Sequence, residues 1–452
     1  MKRAWLILLS LGLIMAISTS AFALDVKFSG SFEAAGMYLD KTTFMKGTTN
    51  DGPSTAFYFQ RLRVQTDFII SPGLSLITRF DAMERAWGAS RSAPSSNVDS
   101  LGILPLSAGT TAENENIAFD YAYILYHSPI GSFNIGYQRN GYWGTVFGDS
   151  SIPATNYGWF TQTGPWFAMA QIVKAMDNSK TAKNPAVTTT DQDIDKYVLA
   201  GLYMWKGGEV GALYFFQRDA HFRPPGGPWG GIAYLNGIMP HAKFRIGPVK
   251  VETELNYYWG DNKGEDGYAS AKLESINFYL DAVADFGMFY FGGTFAYLSG
   301  DDPATTDKIE GGAILNYAGT TGGGIDWNPC LIMFNFDRTY WVGPLNGYGD
   351  FDSSPMNNAW FGQIKGGVRP IAAVDIMASV SYAVADQKPS ALWLNKTYGT
   401  EVDLIATYKI TNNLSYMLGI GYLFTGDYYK GVDSNNVVRD NYLLINKLTL
   451  TF

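Results

Sequence analysis

Few side chains in this sequence are spaced for catalysis. The three histidines, His127, His221 and His241, are scattered without metal-ligand spacing, and neither a G-x-S-x-G elbow nor a P-loop occurs. Cys330 is the single cysteine, so it has no intramolecular disulfide partner and none of the thiolate neighbours of a cysteine-rich metal site. The carboxylate-rich "GDDPATTDKIEGG" at 300–312 lacks EF-hand spacing and reads either as a Ca²⁺ loop or as a solvated one. A different pattern stands out: Arg61, Arg63, Gln65 and Asp67, then Arg79 and Asp81, recur at every second position. On β-strands that spacing puts a column of charge on one face. Such a column breaks no bonds; it polarises water and sorts passing solutes by charge. No catalytic residue and no cofactor is expected.

The elements that must hold these residues are strands. Leu62, Val64, Phe68 and Ile70 alternate with the charged set, Ser71-Pro72-Gly73 turns the chain, and Leu74, Leu76, Thr78 and Phe80 alternate again. That turn sets Arg63 opposite Asp81 as a cross-strand pair. Earlier, Val26, Phe28, Phe32, Ala34 and Tyr38 share one face while Lys27, Ser29, Ser31 and Glu33 share the other. Tight turns recur at Ser128–Gly131, Lys206–Gly208, Ile246–Pro248, Asp285–Gly287, Arg369–Ile371 and Thr411–Asn413. Seven hairpins, with an opening strand from Val26 and a closing strand from Tyr442, predict 16 strands. The stretches 166–176 ("WFAMAQIVKAM") and 331–341 ("LIMFNFDRTYW") could add a pair and make 18. Long polar or glycine-rich segments, including 89–114, 140–195 and 300–357, separate the hairpins.

Composition says what surrounds such strands. Aromatic residues make up 15% of the 452 positions and charged residues only 16%, against about a quarter in soluble domains. Lys2, Arg3, the apolar run Ala4–Ile17 and Ala21-Phe22-Ala23 read as a signal peptide over 1–23, leaving one domain over 24–452. No later stretch reaches 18 uninterrupted apolar residues, so the reading is an all-β transmembrane antiparallel barrel, with short periplasmic turns and long extracellular loops. Tyr257-Tyr258-Trp259, Trp205, and Tyr422 with Phe424 suit the membrane–water interface. A formal charge of −8 speaks against nucleic acid as a partner. An arginine facing lipid would cost about 2–4 kcal/mol, so Arg61, Arg63 and Arg79 point into the lumen with Lys27, Glu33 and Asp81. They form either a basic strip lining a wet pore or structural salt bridges in a plugged barrel, since Glu33, Asp67 and Asp81 stand close enough to pair.

The segment "NIGYQRNGYWGTVFGDSSIPATNYGWF" resembles the bacterial porin superfamily, with an aromatic-glycine run opening the third extracellular loop. "YLSGDD", "DWNPCLIMFN" and "DNYLLINKLTLTF" resemble porin-like outer-membrane proteins of sulfate- or metal-reducing bacteria. The resemblance implies an inward-folded third loop, with 140–165 as the constriction and Asp149 facing Arg61, Arg63 and Arg79. It further implies a homotrimer in the cell outer membrane, among lipid and lipopolysaccharide. In the closing strand Tyr442, Leu448, Leu450 and Phe452 share the lipid-facing parity, and the resemblance makes that ending the signal taken up by the barrel-assembly machinery. The expected function is passive diffusion of small hydrophilic solutes and ions. The alternatives are a substrate-specific export barrel of the alginate-export type, and a structural sheath for a periplasmic electron-transfer partner.

Overall fold

The computed structural model describes residues 25–46, 52–88, 117–150, 152–177, 192–221, 231–264, 269–311, 323–348 and 356–452. The leader at 1–23, with Leu24, lies outside them. In chain order the strands are β1 (Asp25–Leu39), β2 (Thr55–Ser71), β3 (Leu74–Ala86), β4 (Ile117–Ser128), β5 (Gly131–Arg139), β6 (Pro153–Thr163), β7 (Trp166–Met176), β8 (Ile194–Trp205), β9 (Gly208–Asp219), β10 (Gly231–Ile246), β11 (Val249–Gly264), β12 (Ala271–Asp285), β13 (Phe289–Leu298), β14 (Lys308–Ile309), β15 (Ala359–Ile371), β16 (Val374–Ala385), β17 (Thr397–Lys409), β18 (Leu414–Thr425) and β19 (Asn441–Thr451). All but β14 pair antiparallel with their neighbours, and β1 pairs with both β2 and β19, so the sheet closes into a barrel. The two-residue β14 runs parallel to β12 outside that ring, which leaves 18 barrel strands rather than the expected 16.

The additional pair is the hairpin β6–β7, turning at Gly164 with φ +58°. It is hard to see because β7 is apolar on both faces. Trp166 and Ile172 face outward, while Phe167, Met169 and Val173 face inward onto apolar residues of the lumen. The period-2 signal therefore vanishes where the wall touches a plug. The other ambiguous stretch, 331–341, contributes no strand. It runs into the short helix α1 (Phe336–Val342), capped by Asn335, whose side chain accepts the Arg338 N–H at 2.7 Å.

Elsewhere the alternation is that of a barrel in lipid. On β15 Ile364 is 77% exposed and the adjacent Gln363 only 8%. The apolar side chain outside and the amide inside invert the rule for a soluble protein, and surrounding hydrocarbon is what makes the inversion stable. At the seam Gly30 donates to Phe452 O at 2.9 Å and Phe452 donates back to Gly30 O at 3.1 Å. The Phe452 ring lies over Gly30, where a Cβ would come within 2.8 Å of it. Asn446, polar on the lipid-facing parity, is accounted for here: its amide donates to Gly36 O at 3.4 Å, where the missing Gly36 side chain leaves space.

Two long loops fill the lumen. The third, L3 (140–152), leaves β5 and crosses to β10–β12. The seventh, L7, lies between β13 and β15, and its described stretch 323–348 carries α1. Their apolar residues, Trp143 and Phe147 from L3 and Trp327, Ile332, Met333 and Phe334 from L7, form the core together with inward residues of the wall.

Candidate functional site

The charged column is assembled from β1 to β4. Arg63 and Asp81 are directly opposed in the register and form a two-pronged pair, Nε to Oδ1 at 2.7 Å and NH2 to Oδ2 at 2.6 Å. The Arg79 guanidinium grips Asp120 at 2.6 Å and stacks 3.6 Å from the Tyr121 ring centre. Asp120 also lies 3.6 Å from Arg63, so one carboxylate bridges two arginines. Arg61 reaches Glu33 at 3.5 Å and Glu84 at 3.6 Å. Lys27 stands apart, exposed and opposite Asp67 in the register towards the short-turn rim.

Alternation could not have found Glu84 or Asp120, because both sit at bulges. Between the pairs Gln60–Arg85 and Leu62–Ala82, Arg61 faces two residues, Met83 and Glu84. Met83 takes φ +54°, turns outward and sends Glu84 inward, where it is 3% exposed. Asp120 is likewise the extra residue between the pairs Arg79–Tyr121 and Phe80–Phe119. A bulge bends its strand and re-aims one side chain; here each delivers a carboxylate to an arginine.

Asp149 does not face Arg61, Arg63 or Arg79. It pairs with Arg139 at 3.0 Å, and Arg139 also approaches Asp326 of L7 at 3.5 Å. The reason is the path of L3, whose two ends lie side by side, with Asn140 donating to Ile152 O at 2.9 Å and Ser150 to Gly141 O at 3.2 Å. This keeps Asp149 near the base of the loop, beside its own strand β5. Burial pushes the Asp149 carboxyl up to about 6, against the pull of Arg139 and with a further push from Asp326. The constriction segment also ends earlier than 165, since 153–163 is strand β6.

The far end of L3 is anchored across the barrel. Glu254 on β11 accepts the Thr145 N–H at 2.6 Å and its hydroxyl at 2.8 Å, the Trp143 indole donates to Met239 O at 3.0 Å, and Phe147 stacks on Tyr279. A Cβ on Gly148 would collide with the Glu254 carboxylate, so a side chain there would have to displace the group that holds Thr145. L7 docks on L3, with Gly324 donating to Phe147 O at 2.6 Å, and on the wall, where Glu401 of β17 accepts the Ile332 and Met333 N–H groups, both at 2.7 Å. In L7, burial holds the Asp337 carboxyl above its ordinary range against the pull of Lys447 and Arg61.

Among the described residues, the loops leave cavities along the charged wall, two of which are bounded by the charged column. One of about 430 Å³ lies between α1 and β1–β3, lined by Glu33, Arg61, Arg63, Glu84, Asp120 and Lys447. The other, about 460 Å³, lies beside L3 and is lined by Arg79, Tyr121, Arg139, Lys196, Phe215 and Tyr258. The salt-bridged trio Arg63–Asp120–Arg79 stands between them. Lys196 is only 8% exposed, its ammonium lies 4.6 Å from the Phe215 ring centre, and no carboxylate among the described residues pairs with it. In the acidic segment, Asp301 accepts the Glu310 N–H at 2.7 Å and Asp302 the Ala304 N–H at 2.9 Å, so both carboxylates cap local backbone.

No protein-family model and no curated relative matches the chain. Solved structures do match over nearly the whole length. OccK9 (OpdG) of Pseudomonas aeruginosa superposes with a TM-score of 0.55 at 12% identity, covering 95% of this chain and 99% of that one. OpdK of the same organism, solved with vanillate, gives 0.51 at 11%, covering 94% and 99%. A BenF-like porin from Pseudomonas fluorescens Pf-5 gives 0.50 at 10%, again covering 94% and 99%. At these identities the likeness is one of architecture: the chain has the closed β-barrel fold of these porins.

Proposed function

We propose that the chain is an outer-membrane channel for passive diffusion of small hydrophilic solutes and ions, and not an enzyme. The observation that carries this reading is the lumen. A barrel with an apolar outside holds a charged inner wall, against which two inward loops leave solute-sized cavities. A passage bounded on one side by salt-bridged arginines and on the other by L3 and L7 sieves by width and by local field. Because nearly every lumenal arginine already faces a carboxylate, the selectivity proposed is weak. That balance counts against an export barrel that draws a polyanion through, and a lumen filled by its own loops leaves no room for the folded partner of a sheath. The same reading takes in export through a signal peptide, insertion by the barrel-assembly machinery with Tyr442, Leu448, Leu450 and Phe452 as the signal, and a homotrimer among outer-membrane lipid and lipopolysaccharide. Single-channel recording in planar bilayers tests it: ohmic steps in salt alone are expected, and silence would sink it.

A second reading is favoured by Lys196. An ammonium without a counter-charge, among Tyr121, Phe215 and Tyr258, suits a small aromatic anion, and OpdK has been solved with vanillate. Vanillate should then interrupt the current at lower concentration in the wild type than in Lys196→Met. Equal block in the two would leave the unselective channel.

A further inference from the structure

We propose that Cys330, Glu401 and Asp403 form a binding site for one thiophilic divalent cation, with Zn²⁺ as the fitting ion, that staples L7 to the barrel wall. One ligand atom from each residue can be chosen so that all three lie within 4.8 Å of one another. Around Zn²⁺, with bonds of about 2.3 Å to sulfur and about 2.0–2.2 Å to oxygen, tetrahedral ligands stand roughly 3.3–3.8 Å apart. A small closing movement therefore completes a three-ligand site, and water takes the fourth position.

Burial and an orphaned oxygen point independently to a ligand. Cys330, Glu401 and Asp403 are 3%, 0% and 2% exposed. Glu401 and Asp403 lie two residues apart on β17, so both side chains enter the lumen side by side, where the two carboxyls hydrogen-bond each other and no described lysine or arginine forms an ion pair with either. Two adjacent carboxylates without a cation are expensive to bury, and they need either a shared proton or a metal. Asp403 Oδ1 is buried without a donor in good hydrogen-bond geometry, and the carboxyl's neighbours are the Leu331 N–H, the Ser379 hydroxyl and Glu401. It sits over Gly421 of β18, where a Cβ would come within 2.7 Å of it, and Glu401 Oε1 lies 3.4 Å from the same point. The absent side chain lets both oxygens converge on one point, with the Leu331 Cβ 3.1 Å from it.

The surroundings fit a staple. Gln363 of β15 donates to Pro329 O at 2.8 Å, immediately before Cys330, and Glu401 holds the Ile332 and Met333 N–H groups immediately after it. The cysteine is thus held in place from both sides. Leu331, between these anchors, lines the cavity beside α1, so the site borders that cavity. Binding releases to water the thiol proton and any proton held between the carboxylates, and it forms one metal–sulfur and two metal–oxygen bonds.

The test uses the full barrel, purified in detergent and stripped with a chelator. Co²⁺ alone should give a thiolate charge-transfer band in the near ultraviolet at one equivalent per chain, and Zn²⁺ should abolish it by displacement. Cys330→Ser should remove the band, and Asp403→Asn should weaken Zn²⁺ affinity by at least about tenfold, each checked for native heat-modifiable migration. Absence of the band in wild-type protein would overturn the site even if both variants failed to fold. So would Zn²⁺ binding by folded Cys330→Ser at wild-type affinity. None of these readouts needs transport, so the outcome is separate from that of the channel.

Discussion

Asp120 holds two arginines at once, 2.6 Å from Arg79 and 3.6 Å from Arg63. Removing its charge leaves both partners in the passage with less compensation than before. Asp120→Asn, nearly isosteric, should therefore move the reversal potential in a salt gradient towards anions, by about a twofold or larger change in permeability ratio. An unmoved potential would place this trio off the ion path. Asp149 gives a prediction in pH. With its carboxyl pushed up to about 6, it is charged and compensates Arg139 at neutral pH, and it loses that charge as the pH falls below 6. Anion preference should rise between pH 7 and pH 5 in the wild type and be flat over that window in Asp149→Asn. The stability sign is the opposite of an ordinary salt-bridged aspartate. Because the folded-state value is raised, this group's contribution is fully present below the ordinary aspartate value and is lost as pH rises through about 6, so L3 is docked more firmly in acid.

At the scale of the element, β6 and β7 decide the topology. Their connection at Gly164-Pro165 belongs to the rim of short turns, whereas a 16-strand barrel leaves it inside a long loop on the opposite rim. In a Cys330→Ser background, Gly164→Cys should react with a membrane-impermeant maleimide only after the outer membrane is permeabilised. Labelling on intact cells would contradict the 18-strand order. Gly164 takes a positive φ in open space, so cysteine there costs about 1 kcal/mol of backbone strain without blocking closure.

At the scale of the whole molecule, the barrel depends on a seam whose two strands lie at opposite ends of the chain. The register Ser31–Thr451 through Leu39–Leu443 has no short turn to set it. It is set by side chains that fit one alignment: the Phe452 ring over Gly30, and the Asn446 amide in the space at Gly36. Gly30→Val would push a Cβ into Arg63 O as well as the Phe452 ring, an overpacking cost of about 1–3 kcal/mol. The variant should lose heat-modifiable migration at a lower temperature than the wild type; an equal or higher transition would show that the seam does not depend on this contact.

What could be read from residues alone was what depends on period and turn. Alternation marked the wall, tight turns marked one rim, and the turn at Ser71–Gly73 sufficed to place Arg63 against Asp81, as the register bears out. Those features are local, because in a strand the neighbour two residues away and the turn geometry settle which way a side chain points. Three features were decided only in the folded chain. Glu84 and Asp120 reach the arginines through one-residue bulges, which alternation cannot register. The inward face of β7 is apolar because L3 and the wall meet there, so a strand in contact with a plug loses the pattern that identifies a strand in contact with water. L7 reads as greasy as a strand yet folds into the lumen, where Glu401, some 70 residues away in sequence, accepts the N–H groups of Ile332 and Met333. Periodicity records only which solvent each face of a strand meets; where a face meets the chain's own loops, the tertiary structure supplies that solvent.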